Sequence, residues 1–313
     1  MRIVFAGTPE PALATLRALV ASHHDVVGVI TMPDARRGRG RTLHPSPVAA
    51  YAAECGIPVF KPEHIRGNSE LVSQVAALQP EAIPVVAYGA LITEPLLTLP
   101  PHGWLNVHYS LLPRWRGAAP VNAAIGHGDT ETGISIFRLD AGLDTGDLLA
   151  QVAEPIHPDD TTDSLLTRLV EVGAQALIAT LDQLEAGTAT LTPQPDHTDP
   201  ATTYAHKLVT ADGKIDWTAP ASDIDRHIRA LTPAPGAWTM WGDNRVKLGP
   251  VVAAEPVDLA PGEVCILDHP QRVIVGTGDT PVALSSVQVP GKKMMNAADW
   301  ARGVHNREGI VWQ

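Results

Sequence analysis

Positive charge is what this 313-residue sequence most lacks: 23 Lys and Arg stand against 34 Asp and Glu, a formal net charge of −11. That balance argues against a general nucleic-acid binder, whose electrostatic footprint is basic. Cysteine is nearly absent. Cys55 and Cys265 lie far apart and give neither a disulfide framework nor a metal-ligand spacing, which suits a reducing compartment. No apolar run approaches a membrane span, and the apolar stretch of "MRIVFAGTPE" is too short for a signal peptide. A cytoplasmic protein without a membrane contact is expected. Internal repeats and low-complexity tracts are missing as well.

What is there is ordinary globular material, 44% apolar and 18% charged, long enough for two domains or one large one. The acidity is uneven. Residues 1–205 hold 12 Lys and Arg against 22 Asp and Glu, and residues 206–313 hold 11 against 12. Within the acidic part, "RRGRGR" gathers Arg36, Arg37, Arg39 and Arg41. A local patch of that kind can steer a polyanion that the whole chain repels.

The first half alternates short β-rich runs with helical patterns. "RIVFAG", "HDVVGVIT", "IPVF", "EAIPVVAY" and "WLNVHYS" read as strands. "PALATLRALV", "SPVAAYAAECG", "ELVSQVAALQ" and "APVNAAIGHG" read as the helices between them. That order implies an α/β domain with a mostly parallel sheet covered on both faces, which binds ligands beyond the carboxyl ends of its strands. A long helix over "TDSLLTRLVEVGAQALIATLDQLEAG" follows. "TATLTPQPDHTDPATTYAHK", rich in Thr, Pro and Asp and without a period, then reads as an extended linker. After a helix in "ASDIDRHIRAL", the short strands "GAWTMW", "NRVKLGPVVA", "GEVCILD", "RVIVGTG" and "PVALSSVQV" predict a small antiparallel barrel or sandwich of OB-like form. The expected domains are 1–189, a linker at 190–206, and 207–313.

Three sequence features point to chemistry. "FAGTPE" sits at a strand-to-helix turn whose N–H groups could face an anion, or which could be a plain turn. It is not the dinucleotide fingerprint, so a Rossmann oxidoreductase is disfavoured. In "LNVHYS", Asn106 and His108 project from one face of a strand, roughly 6.6 Å apart, with Leu105 and Val107 packing behind. An amide donor beside an imidazole could address one carbonyl carbon, although a structural histidine is the plainer reading. In "RLDAGLDTGDLL", three aspartates lie among two glycines, and a carboxylate held there can orient an imidazole. Asp144 is the expected partner of His108, with Asp140 and Asp147 as turn formers. Asn, His and Asp make an acyl-transfer set. The arginine run falls in a connection of about sixteen residues, long for a strand-to-helix loop. It could be a solvated loop or a phosphate contact, for which Arg114, Arg116, Lys292 and Lys293 are further candidates.

Together "FAGTPE", "VVAYGALI", "NVHYSLLPRWRGAAPV", "ETGISIFRLDAGLDTGDLL", "TYAHKLVTADGKIDW" and "PGKKMM" resemble the methionyl-tRNA formyltransferases along the whole chain. The resemblance implies a Rossmann-like formyltransferase domain followed by an OB-like domain that binds tRNA. It implies formyl transfer from 10-formyltetrahydrofolate to the α-amino group of methionine on initiator tRNA. Tetrahydrofolate is released, no metal is needed, and the enzyme acts as a monomer. Asn106, His108 and Asp144 fall on the family's catalytic trio. Ser110, Leu111, Leu112 and Pro113 fall on its folate-contacting segment, to which Tyr88, Gly89 and Asp140 are added as neighbours of the pterin. The arginines at 36, 37, 39 and 41 fall in the loop used on the acceptor stem. Tyr109 stands where relatives often have glycine, and its side chain is expected on the face opposite His108. The rival readings are a formyltransferase for a small amino-sugar or nucleotide acceptor, a non-catalytic tRNA binder, and a folate deformylase.

Overall fold

A computed structural model describes residues 1–37, 42–269, 271–307 and 309–313. They divide into two compact units. The first comprises 1–120, 132–155 and 166–204, and the second 121–131, 156–165 and 205–313. Two short segments, 121–131 and 156–165, thus group with the second unit although they precede the end of the first in sequence.

The first unit is built on a seven-stranded sheet. Its strands run in the order Leu148–Pro155, Glu131–Arg138, Trp104–His108, Ile83–Val86, Arg2–Gly7, Asp25–Ile30 and Val59–Phe60. The pairings from Trp104–His108 through to Val59–Phe60 are parallel, as the alternation of strands and helices predicts. Glu131–Arg138 pairs antiparallel with Trp104–His108 and was not among the strands read from periodicity. Its residues Thr132 to Phe137 are all buried, so it lacks the alternation that marks a half-exposed strand. The centre of the sheet is equally apolar on both faces. All four residues of Ile83–Val86 are buried, and Val4, Ile30, Leu71, Val75, Leu96 and Trp104 pack around them.

This arrangement places Trp104–His108 between a parallel and an antiparallel neighbour, with Asn106 opposite Val85 and Phe137 and with His108 opposite Ser135. Val107 faces the other way, toward the helix Thr162–Glu185. A Cβ at Gly173 would lie 3.0 Å from Val107 Cγ1 and 3.6 Å from Tyr109 Cε1, so the bare glycine lets this helix sit against the strand. The Tyr109 ring therefore lies against the helix, away from His108. By length and composition that helix could cross a membrane, contrary to the expectation that no run approaches a span. Leu165, Leu169, Leu177 and Leu181 on it are fully buried in the protein.

The second unit contains two four-stranded antiparallel sheets. One orders Trp238–Trp241, Asn244–Leu248, Ser286–Gln288 and Met295–Asn296, the other Val251–Ala253, Val282–Leu284, Gln271–Val275 and Val264–Asp268. Each of the runs "NRVKLGPVVA" and "PVALSSVQV" breaks into two strands, one in each sheet. The breaks face each other. Pro250 lacks an N–H, its carbonyl accepts from Ser285 Oγ, and a Cβ on Gly249 would lie 2.1 Å from Ser286 Oγ. Both sheets cover one core in which Trp217, Trp300 and Trp312 meet with ring centroids 5.8–6.0 Å apart.

Candidate active site

The carboxyl end of Trp104–His108 carries two polar side chains on one face. His108 is 5% exposed, and its Nε2 lies 2.9 Å from the Trp115 carbonyl oxygen. A carbonyl can only accept, so Nε2 carries the proton and Nδ1 is the nitrogen left for chemistry. Nδ1 is 3.8 Å from Asp144 Oδ2. Burial pushes the imidazole pKa below its ordinary value of 6.5, and this outweighs the opposing effects of the Asp144 charge and the Trp115 hydrogen bond. At neutral pH the ring is therefore an uncharged base with its lone pair at Nδ1. Asn106 is half-buried, and among the described residues no group hydrogen-bonds its amide.

Asp144 comes from a loop folded by short-range contacts. Asp140 Oδ1 accepts from Gly142 N at 2.9 Å and from Thr145 Oγ1 at 2.7 Å, an Asx turn of the kind expected for this residue. At Gly146 a Cβ would lie 1.8 Å from the Arg138 carbonyl oxygen, so no larger residue fits. Asp144 itself adopts φ 54°, and its Oδ2 accepts from Gly117 N at 2.7 Å. Trp115, whose carbonyl sets the His108 ring, has φ 62°, and Ala87 on the facing loop has φ 44°. Left-handed backbone at a non-glycine residue costs about 1–3 kcal/mol and persists where surrounding contacts enforce it. Three of the four such residues among those described lie at this one place.

These groups border a cleft of about 460 Å³. Asn106, His108 and Asp144 line it together with Tyr88, Gly89, Leu97, Leu139 and Asp140. Leu91 and Leu143, 73% and 59% exposed, give it an apolar lip. The size and the few convergent polar groups suit a small ligand with a flat apolar ring system. The Tyr88 ring belongs to the core; its hydroxyl is buried, and burial pushes its pKa up to about 12. The turn "FAGTPE" takes its plain reading, since Thr8 Oγ1 donates to Tyr88 O at 2.8 Å and ties two loops together.

Known proteins match this chain along its length. Residues 1–181 match the formyl transferase family model, and 207–305 match that of the formyl transferase C-terminal domain. A methionyl-tRNA formyltransferase of Corynebacterium aurimucosum is 55% identical, covering 98% of this chain and 96% of the relative. One from Corynebacterium diphtheriae is 54% identical over 99% of each. The chain belongs to the methionyl-tRNA formyltransferase family. It is a formyl-transferring enzyme. Among solved structures, HypX of Aquifex aeolicus in complex with tetrahydrofolic acid superposes with a TM-score of 0.67 at 19% identity. That match covers 99% of this chain but only 48% of HypX, so the chain spans about half of that protein, and the likeness speaks for the fold alone.

Other residues singled out from the formyltransferase motifs are placed differently from expectation. Ser110 to Pro113 do not line the cleft. Ser110 is fully buried and its Oγ donates to the Arg114 carbonyl at 2.6 Å, while Leu112 is 3% exposed. Ser135, a buried strand residue with no motif to mark it, holds this segment. Its Oγ donates to Ser110 O at 2.7 Å and accepts from Leu112 N at 3.0 Å. Arg116 is corrected too. At 1% exposure it cannot meet a phosphate from outside. Arg114 is exposed, with its guanidinium 4.4 Å above the Trp115 ring. Arg36 is exposed on the short strand Ala35–Arg37, paired antiparallel with Thr42–His44. Arg39, Arg41 and the side chain of Arg37 lie outside the described residues. Lys292 and Lys293 are exposed in the second unit. The sequence offered no metal-ligand spacing, yet folding brings His23, His24, Asp182 and Glu185 within 4.8 Å of one another. The Met1 amine lies among them, 2.8 Å from Glu185 Oε1 and 3.1 Å from His24 Nδ1, and its positive charge opposes a cation there.

Proposed function

We propose that this formyltransferase moves the formyl group of 10-formyltetrahydrofolate to the α-amino group of methionyl initiator tRNA, and that Asn106, His108 and Asp144 carry the step. The observation behind the residue assignment is the convergence of the three on one cleft, with the His108 tautomer set by Trp115. The folate supplies an activated formyl carbon. His108 Nδ1 accepts the proton that the attacking amine must lose. Asp144 then faces the resulting imidazolium and stabilises it until the tetrahedral intermediate collapses, when the bond between the formyl carbon and folate N10 breaks and the proton passes to N10 of the departing tetrahydrofolate. Asn106 donates its amide N–H to the formyl oxygen, where negative charge builds. Burial keeps the His108 ring neutral before the reaction, so in this reading it takes a proton and does not donate to that oxygen.

The pterin suits the apolar cleft wall of Leu97 and Leu139 under the lip of Leu91 and Leu143. Phosphate contacts suit the exposed Arg36, Arg114, Lys292 and Lys293, together with the remaining loop arginines. Relatives matched from end to end favour a tRNA acceptor over a small amino sugar. The deciding measurement is folate-dependent formylation of methionyl initiator tRNA, against small amines as acceptors. Asn106→Ala should lower kcat by about 10²–10³ with tRNA affinity retained. A normal rate in that variant overturns the residue assignment.

A further inference from the structure

The segment 190–206 has the composition of a passive linker, yet two of its side chains hold the groups that orient His108 and Asp144. Gln194 Nε2 donates to the backbone carbonyls of Asp144, at 3.0 Å, and Gly146, at 2.7 Å. Its Oε1 accepts from Arg116, at 2.8 Å from Nη2 and 3.3 Å from Nε. Arg116 Nη2 donates in addition to Pro195 O at 2.9 Å. Thr203 serves the other side. Its Oγ1 accepts from Trp115 N at 2.9 Å, and its carbonyl accepts from Arg116 N at 2.9 Å. Just ahead of Gln194, Thr192 exchanges two backbone hydrogen bonds with Leu148, so the segment is laid along the exit of the Asp144 loop.

The arrangement has a physical consequence. Asp144 sits in left-handed backbone that its own loop does not favour, and one Gln194 amide secures both carbonyls around it. That amide is oriented in turn, because a buried guanidinium needs its oxygen as an acceptor. Rotating the amide would set N–H groups against Arg116 and oxygen against two carbonyls. Both sides of the His108–Asp144 pair are thus referenced to the same stretch of chain. We propose that Gln194 is a positioning residue for formyl transfer, holding the Asp144 loop through its carbonyls with its amide locked by buried Arg116. The inference rests on the roles given above to His108 and Asp144.

The experiment compares Gln194→Ala, Gln194→Glu, Asp144→Asn and the double variant Gln194→Glu with Asp144→Asn. It uses the full chain with methionyl initiator tRNA and 10-formyltetrahydrofolate. Gln194→Ala should lower kcat about 10- to 100-fold, since misplacing a catalytic group by about 1 Å costs as much. KM for both substrates should stay within about twofold, the pattern of an interaction that acts in the transition state. The acid limb of its kcat–pH profile should also move to lower pH, because the Asp144 charge that raises the His108 pKa is no longer held 3.8 Å away. Gln194→Glu keeps an acceptor for Arg116 and loses both donors, so it separates loop positioning from folding and decides the matter if the Ala variant does not fold. In the double variant the Glu substitution should add little to the loss from Asp144→Asn. Wild-type kcat and pH profile in the Gln194 variants, or fully multiplicative losses in the double variant, overturn the inference alone. A fully active Asp144→Asn overturns the reading of the site beneath it.

Discussion

At the scale of the residue, the decisive event is the choice of a tautomer. Asn106 and His108 are legible as a pair because two residues apart on a strand means one face. Which imidazole nitrogen works is decided by the Trp115 carbonyl, which takes the Nε2 proton. In the proposed mechanism the active form is the neutral base, so kcat should fall as pH drops through the His108 pKa, which burial puts below 6.5. Asp144 pushes in the opposite direction, so Asp144→Asn should move the limb still lower while reducing the plateau. A limb that stays in place in Asp144→Asn would contradict this role for His108. His108→Ala, which removes the base, should lose rate at every pH tested.

Elements decide where those residues meet. The Asp144 loop is recognisable by its glycines, and Gly146 shows why one of them is needed. Its missing Cβ is the space taken by the Arg138 carbonyl. Gly146→Ala should displace the loop and lower kcat by about 10²-fold, the usual effect of small misplacements near reacting atoms. Tight binding of folate with slow turnover is the expected signature; unchanged turnover would mean that the loop has slack. The hairpin strands Ala35–Arg37 and Thr42–His44 make a separate case. Arg36→Ala should weaken tRNA binding and flatten its dependence on salt by about one unit of log–log slope, readable by titration at several salt concentrations. The segment 190–206 does more at this scale than its composition shows. Thr, Pro and Asp without a period suggest a spacer, and composition does not show that Gln194 and Thr203 bond the active-site loops. Likewise the burial of both faces hid the strand Glu131–Arg138 from a search for alternation.

For the molecule as a whole, two buried histidines and one half-buried one tie stability to pH. His24, His108 and His227 all have pKa values lowered from 6.5, in each case chiefly by burial. The unfolded chain therefore takes up protons first as pH falls below 6.5. Stability from keeping these rings neutral is full above that value and is lost as pH drops through the folded-state values. Urea unfolding at about pH 7.5 and about pH 5.5 should show the lower midpoint at the acid end. His227→Gln should shrink the difference; equal midpoints at both pH values would refute the assignment of neutral buried rings.

The sequence by itself determined the alternation of strands and helices, the antiparallel second unit, and the shared face of Asn106 and His108. All three rest on periodicity, which is local. The breaks that send halves of one strand run into different sheets escaped it, because they depend on what Pro250 and Ser285 face. Only the tertiary structure placed Asp144 beside His108, turned Arg116 inward and set Gln194 between them. Those outcomes depend on distances between segments far apart in the chain, where a few tenths of an ångström decide whether a polar group finds its partner. Residue order alone carries no such lengths.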